Sequence, residues 1–93
     1  MKLNETLLSN GSIVLLKGGN IKLMIYGRKQ VLLTEDERNG KLYDYLAVPF
    51  PEGFMSPEYT YVFNHKDIAE VIFKGFVNEE EEDFQSVLIN AKQ

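Results

Sequence analysis

A chain of 93 residues with one histidine and no cysteine has few places for chemistry. Thiol nucleophiles, disulfides and cysteine-ligated zinc are excluded at once. Ser9, Ser12, Ser56 and Ser86 stand in no nucleophile-elbow pattern. The one pairing that suggests acid–base work is His65 with Asp67, in the run Asn64-His65-Lys66-Asp67. Positions within a single helical turn do not aim at one point, however, and no nucleophile is implied beside them. A capping role fits better: Asn64 opens the turn and Asp67 lies near its positive end. Gly18-Gly19-Asn20 lacks the lysine–serine ending of a phosphate loop and precedes a strand, so it reads as a hairpin turn. The acids at 79–83 and 35–37 suggest calcium, but successive acids point around a helix or out of a loop instead of converging. The sequence therefore reads as non-enzymatic, with no metal or cofactor.

The aromatic residues are more suggestive. Tyr43, Tyr45, Phe50, Phe54, Tyr59, Tyr61 and Phe63 fall close together. Tyrosines give large contact area at low entropic cost and line the peptide grooves of SH3-type domains. A small sheet also needs bulky aromatics in its own core, and that structural role is the favoured one. Tyr43 and Tyr45 share one strand face with Ala47, while Leu42, Leu46 and Val48 take the other. If the leucine face is the core, the two tyrosines are partly exposed.

The elements that would position these residues follow from hydrophobic pattern and turn chemistry. Residues 1–10 form an arm or turn, with Leu3, Leu7 and Leu8 available for docking. Ile13-Val14-Leu15-Leu16 is a β-branched run expected as a buried strand, and 21–26 a second one after the glycine turn. Gly27 suggests a bulge before the pattern resumes at Val31. Asn39-Gly40 ends a polar loop, residues 41–48 give a third strand, and Pro49 and Pro51 stop it. Strands at 59–63 and 70–76 follow, the latter with Val71 and Phe73 inward. Asn78 caps a final helix whose first turn is acidic and whose apolar face is Phe84, Val87, Leu88 and Ala91. The expectation is a single domain over 1–93, mainly β (α+β): a small SH3-like five-stranded bent sheet or barrel. Its β core covers 12–76 and its C-terminal helix 78–91. An open α+β sheet with the helix across one face is the rival.

Hydrophobic content of 44 % and charged content of 26 % are ordinary for a folded domain. Five of the fourteen acids lie at 79–83, so the rest of the chain is close to neutral. No basic stripe suited to phosphate neutralisation stands out. A nucleic-acid-binding barrel using Lys17, Lys22, Arg28 and Lys29 is the alternative class. Without cysteine, and with no long apolar segment near Met1, a cytoplasmic setting with no membrane contact is expected.

Three segments carry a resemblance: GSIVLLKGGNIKLMIYGR (11–28), YDYLAVPFPEGF (43–54) and FNHKDIAEVIFKGF (63–76). Together they resemble a family of small Gram-positive proteins filed as a domain of unknown function, over roughly residues 11–84. Its members are often encoded beside type VII secretion loci and their LXG-type toxins. The resemblance implies a protein-binding accessory: a chaperone or targeting factor for a secreted toxin, or an immunity protein. It assigns no catalytic residues. The chain has no tryptophan, hence no WXG motif, and none of its tyrosines has an acid four residues later, so it looks unlike an exported substrate. Candidate contacts are the polar or aromatic positions inside these segments: Arg28, Tyr43, Asp44, Tyr45, Asn64, His65 and Asp67. An exposed aromatic strand edge could also pair two copies into a homodimer.

Overall fold

The computed structural model describes residues 6–32 and 41–90. The polar loop ending at Asn39-Gly40, Leu3 and Ala91 lie outside them. Strand β1 (Ile13–Leu16) leads through Gly18, at φ 78°, into β2 (Leu23–Leu32). Strand β3 (Lys41–Pro49) is followed by a 3-10 turn at Pro57–Tyr59 and by the short β4 (Tyr61–Phe63). A second 3-10 turn, His65–Asp67, runs directly into β5 (Ile68–Phe73), and α1 (Glu79–Asn90) closes the described chain. Asn78 caps α1 as expected, its Oδ1 accepting the Glu81 N–H at 3.0 Å. Among the described residues no helix is long and apolar enough to cross a membrane.

All neighbouring strands are antiparallel, in the order β4-β3-β2-β1-β5. Of the bent sheet and the barrel that the sequence allowed, the chain adopts an open sheet with its C-terminal helix. The strands at its two ends differ sharply. β4 has three residues between two turns, whereas β5 has six with no proline.

The core is Val14, Leu23, Ile25, Tyr45, Ala47 and Phe63, with Leu7, Leu8, Leu16, Tyr61 and Ile68 packed around it. The fully buried Val, Leu, Ile and Phe side chains among them contribute about 1.5–3 kcal/mol each. The core cluster takes the Tyr45–Ala47 face of β3; on the other face Leu42 and Leu46 are half-buried, although Val48 is buried. The leucines do not win because Tyr45 reaches hydrogen-bond partners at depth, which removes the penalty for burying its hydroxyl.

Two further expectations are corrected. Val71 and Phe73 are exposed, because β5 is an edge strand that nothing described covers. On α1 the inward residues are Glu81, Gln85 and Leu88, and Phe84 and Val87 are exposed. The helix is rotated by its polar contacts to the arm and to β2.

Gly75 lies against the Asn10 carbonyl, where an added Cβ would collide with backbone, and its N–H donates to Ser12 Oγ at 2.9 Å. Gly75→Ala should therefore destabilise the chain by about 1–3 kcal/mol. Urea unfolding of the two proteins checks this, and equal midpoints would contradict it.

Candidate functional site

Strand β2 carries a bulge that decides where Arg28 goes. Ile25 pairs with Ala47, Gly27 with Leu46 and Arg28 with Tyr45, which leaves Tyr26 as the extra residue. Without that insertion Ile25 and Arg28, three positions apart, would face opposite sides of the sheet. With it, both face the core and the helix. The Arg28 side chain is 3 % exposed and forms a fork onto Glu81, Nη1 to Oε2 at 2.7 Å and Nη2 to Oε1 at 2.9 Å. Nη1 also donates to the Leu8 carbonyl at 3.0 Å, and the guanidinium carbon lies 5.3 Å from the Phe84 ring centre. The Arg28 hydrogen bonds hold the Glu81 carboxyl below its ordinary range, with a smaller push from Gln85 in the same direction, while burial opposes the shift.

The arm is tied to the same place. Gln85 accepts from the Leu7 N–H at 3.2 Å and donates to the Leu7 carbonyl at 2.8 Å, as a neighbouring strand would. The Leu8 N–H donates to the Tyr45 hydroxyl at 2.9 Å. Thr6 to Ser9, Ser12, Lys74, Val77 and the inner side of α1 line a cleft of about 290 Å³.

Five of the seven candidate contacts converge, but as a structural knot. The Tyr45 hydroxyl, fully buried, is 2.7 Å from His65 Nδ1. Asp44 accepts the His65 N–H at 2.8 Å, and its own N–H donates to Asn64 Oδ1 at 3.1 Å. Asp67 accepts the Asn64 N–H at 3.0 Å, and its carbonyl accepts from Lys17 N–H at 2.9 Å. The expected turn is present, though the Asn64 side chain reaches across to β3. Lys29, at φ 53°, places its ammonium 3.3 Å from Asp44. These polar atoms hold main chain and fix the β4–β5 connection. Tyr43 stands apart, with the Lys41 ammonium 5.5 Å from its ring centre. Arg28 belongs to the helix lock. Of the four cations considered for nucleic acid, Arg28 and Lys29 are thus paired with acids, leaving Lys17 and Lys22 exposed.

The surface that sequence reasoning missed is the outer side of β5. Val71 is 42 % exposed, Ile72 40 % and Phe73 57 %, so apolar side chains stand free on both faces of one strand. Phe76 and Val77, just beyond it, are also exposed. Among the described residues no strand pairs with the outer edge of β5. Lone exposed apolar residues are ordinary, whereas a run of them on a sheet edge is less so.

Comparison with known families places the chain. The model of a domain of unknown function, DUF4176, matches residues 7–84. The chain belongs to the DUF4176 family. The matched span opens on Leu7 and closes on Phe84, so the DUF4176 domain takes in the arm, the Arg28–Glu81 pair, the His65 knot and the whole sheet. No curated protein and no solved structure matches it.

Proposed function

We propose that this DUF4176 chain is a non-enzymatic protein-binding domain whose partner docks on the outer edge of β5. What supports the reading is that edge: a six-residue strand without proline, bearing exposed apolar side chains on both faces. Strand addition would satisfy the outward backbone N–H and C=O groups while Val71, Ile72 and Phe73 leave water. The polar side chains that could suggest catalysis are engaged in holding the Tyr45–His65 knot and the Arg28–Glu81 lock. The resemblance to proteins encoded beside type VII secretion loci supplies the setting: a cytoplasmic accessory, acting as chaperone, targeting factor or immunity protein for an exported toxin.

The test is retrieval of partners from the native cell with the tagged chain and with an Ile72→Lys variant. The expected result is a defined protein partner retained by the wild type and depleted at least tenfold by the variant. Turnover of a metabolite with no partner retained would overturn the proposal. Coexpression with the neighbouring toxin separates the variants, since only an immunity protein spares the cells.

A further inference from the structure

Leu7 and Leu8 are held as a receptor holds a bound peptide. We infer that the arm is the resident ligand of a second docking site, which admits a partner segment of the same chemistry in its place. Among the described residues, side chains alone satisfy the four main-chain polar groups of these two residues. Gln85 takes both groups of Leu7, the Tyr45 hydroxyl accepts the Leu8 N–H, and Arg28 Nη1 donates to the Leu8 carbonyl. A terminal segment built into the sheet would pair through a main-chain ladder, and this one does not. Recognition of main chain is indifferent to the identity of the segment that supplies it. The apolar part comes from Leu7 and Leu8, which pack against the core. The fitting occupant is therefore a stretch with two consecutive leucine-like side chains. The site does not use the β5 edge, and neither reading requires the other.

Each of the three side chains that read the arm has a hold of its own. Arg28 is fixed by its fork onto Glu81, and Gln85 donates to Glu81 Oε2 at 2.6 Å. Tyr45 is packed on Phe63 and bonded to His65 Nδ1. Such pre-organisation lowers the ordering cost for whatever binds. Nor does the arm fill its groove. The cleft of about 290 Å³ lies beside Leu7, Leu8 and Gln85, with Lys74 and Val77 also on its wall. A partner side chain larger than leucine finds room there. The tether makes the arm a competitor for its own site, at an effective concentration on the order of millimolar. An outside segment then binds in proportion to the fraction of chains whose arm is open. Loosening the arm therefore raises affinity for such a segment, which loss of a purely structural strap would not do.

The probe is a fluorescent synthetic peptide with the sequence of residues 2–10, into which the full chain is titrated while anisotropy is read. Wild type should bind it weakly. Leu7→Ser strips a half-buried leucine from the resident arm and should bind the peptide roughly tenfold more tightly or better. Leu7→Ser/Gln85→Ala should lose that gain, and a peptide carrying Leu7→Ser and Leu8→Ser should bind neither protein. Circular dichroism checks that each variant is folded, and Leu7→Ala is the milder substitute with the same expected order. A measurement on the unmutated chain stands beside these. Excess peptide should speed hydrogen exchange of the arm's own Leu8 amide, because the arm is displaced from the Tyr45 hydroxyl. An unchanged Leu8 rate at millimolar peptide overturns the inference. So does a Leu7 variant that binds no more tightly than wild type, or binding that Gln85→Ala leaves untouched.

Discussion

Tyr45→Ala is expected to remove about 4 kcal/mol of stability, close to what a domain of this size can lose and remain folded. The ring is fully buried against Phe63, 5.4 Å between centres, in the middle of the core face of β3. Its hydroxyl joins the arm, through the Leu8 N–H, to the turn before β5, through His65 Nδ1. Truncation therefore opens a cavity and unties two segments distant in sequence. Tyr45→Phe keeps the ring and should cost about 1–3 kcal/mol, because Leu8 and His65 lose a buried partner. Urea unfolding followed by circular dichroism gives both numbers. The pair of variants also separates packing from recognition. If Tyr45 is a core residue and not a contact, Tyr45→Phe at low temperature should bind a partner as well as the wild type does. A Tyr45→Ala protein within 1 kcal/mol of wild type, on the scale of an ordinary surface change, would contradict the core assignment.

Glu81→Ala should cost about 2–3 kcal/mol, because it leaves the buried Arg28 guanidinium without its forked acceptor. Among the described residues only the Leu8 carbonyl would remain as a hydrogen-bond partner of Nη1. Glu81→Gln, which keeps one acceptor oxygen, should cost less. The same pair gives stability a defined acid limb. The Glu81 pKa is lowered in the folded state, chiefly by the Arg28 hydrogen bonds, so folding favours the ionised form. That stabilisation is complete above the unfolded value of about 4.3 and is lost as pH falls below it through the lowered folded value. Wild type should therefore lose stability more steeply than Glu81→Gln below that pH, and the two curves should converge in strong acid. Parallel curves would mean that the pair is not formed in solution.

The elements were readable because local chemistry and tertiary structure agree in them. Gly18 takes the positive φ that a hairpin needs, Asn78 caps α1, and the β-branched run at 13–16 becomes β1. What could not be read depends on register and on sheet order. Gly27 announces the bulge that the structure places at Tyr26, but nothing local in KLMIYGR says that the inserted residue turns Arg28 inward to anchor the helix. Glu81 looked like one solvated acid in a run of five, although its spacing to Gln85 and Leu88 marks an inward stripe once Arg28 is known to face it. The VIF segment of β5 looked like core because apolar residues usually are. Its position at the end of the order β4-β3-β2-β1-β5 is a long-range fact that no window of sequence contains. The seven candidate contacts show the same limit, since their polar and aromatic character reflects the internal knot that five of them build.

Hydrogen–deuterium exchange resolved along β5 tests the docking edge most directly. In dilute, unassociated protein the outward-facing amides between Ile68 and Lys74 should exchange quickly, while those bonded to β1 exchange slowly. Once a partner is bound, that difference should vanish and the whole segment become protected. Binding that protects the Phe50–Tyr59 loop or the outer face of α1, and leaves the outward amides of β5 as fast as before, would contradict the account.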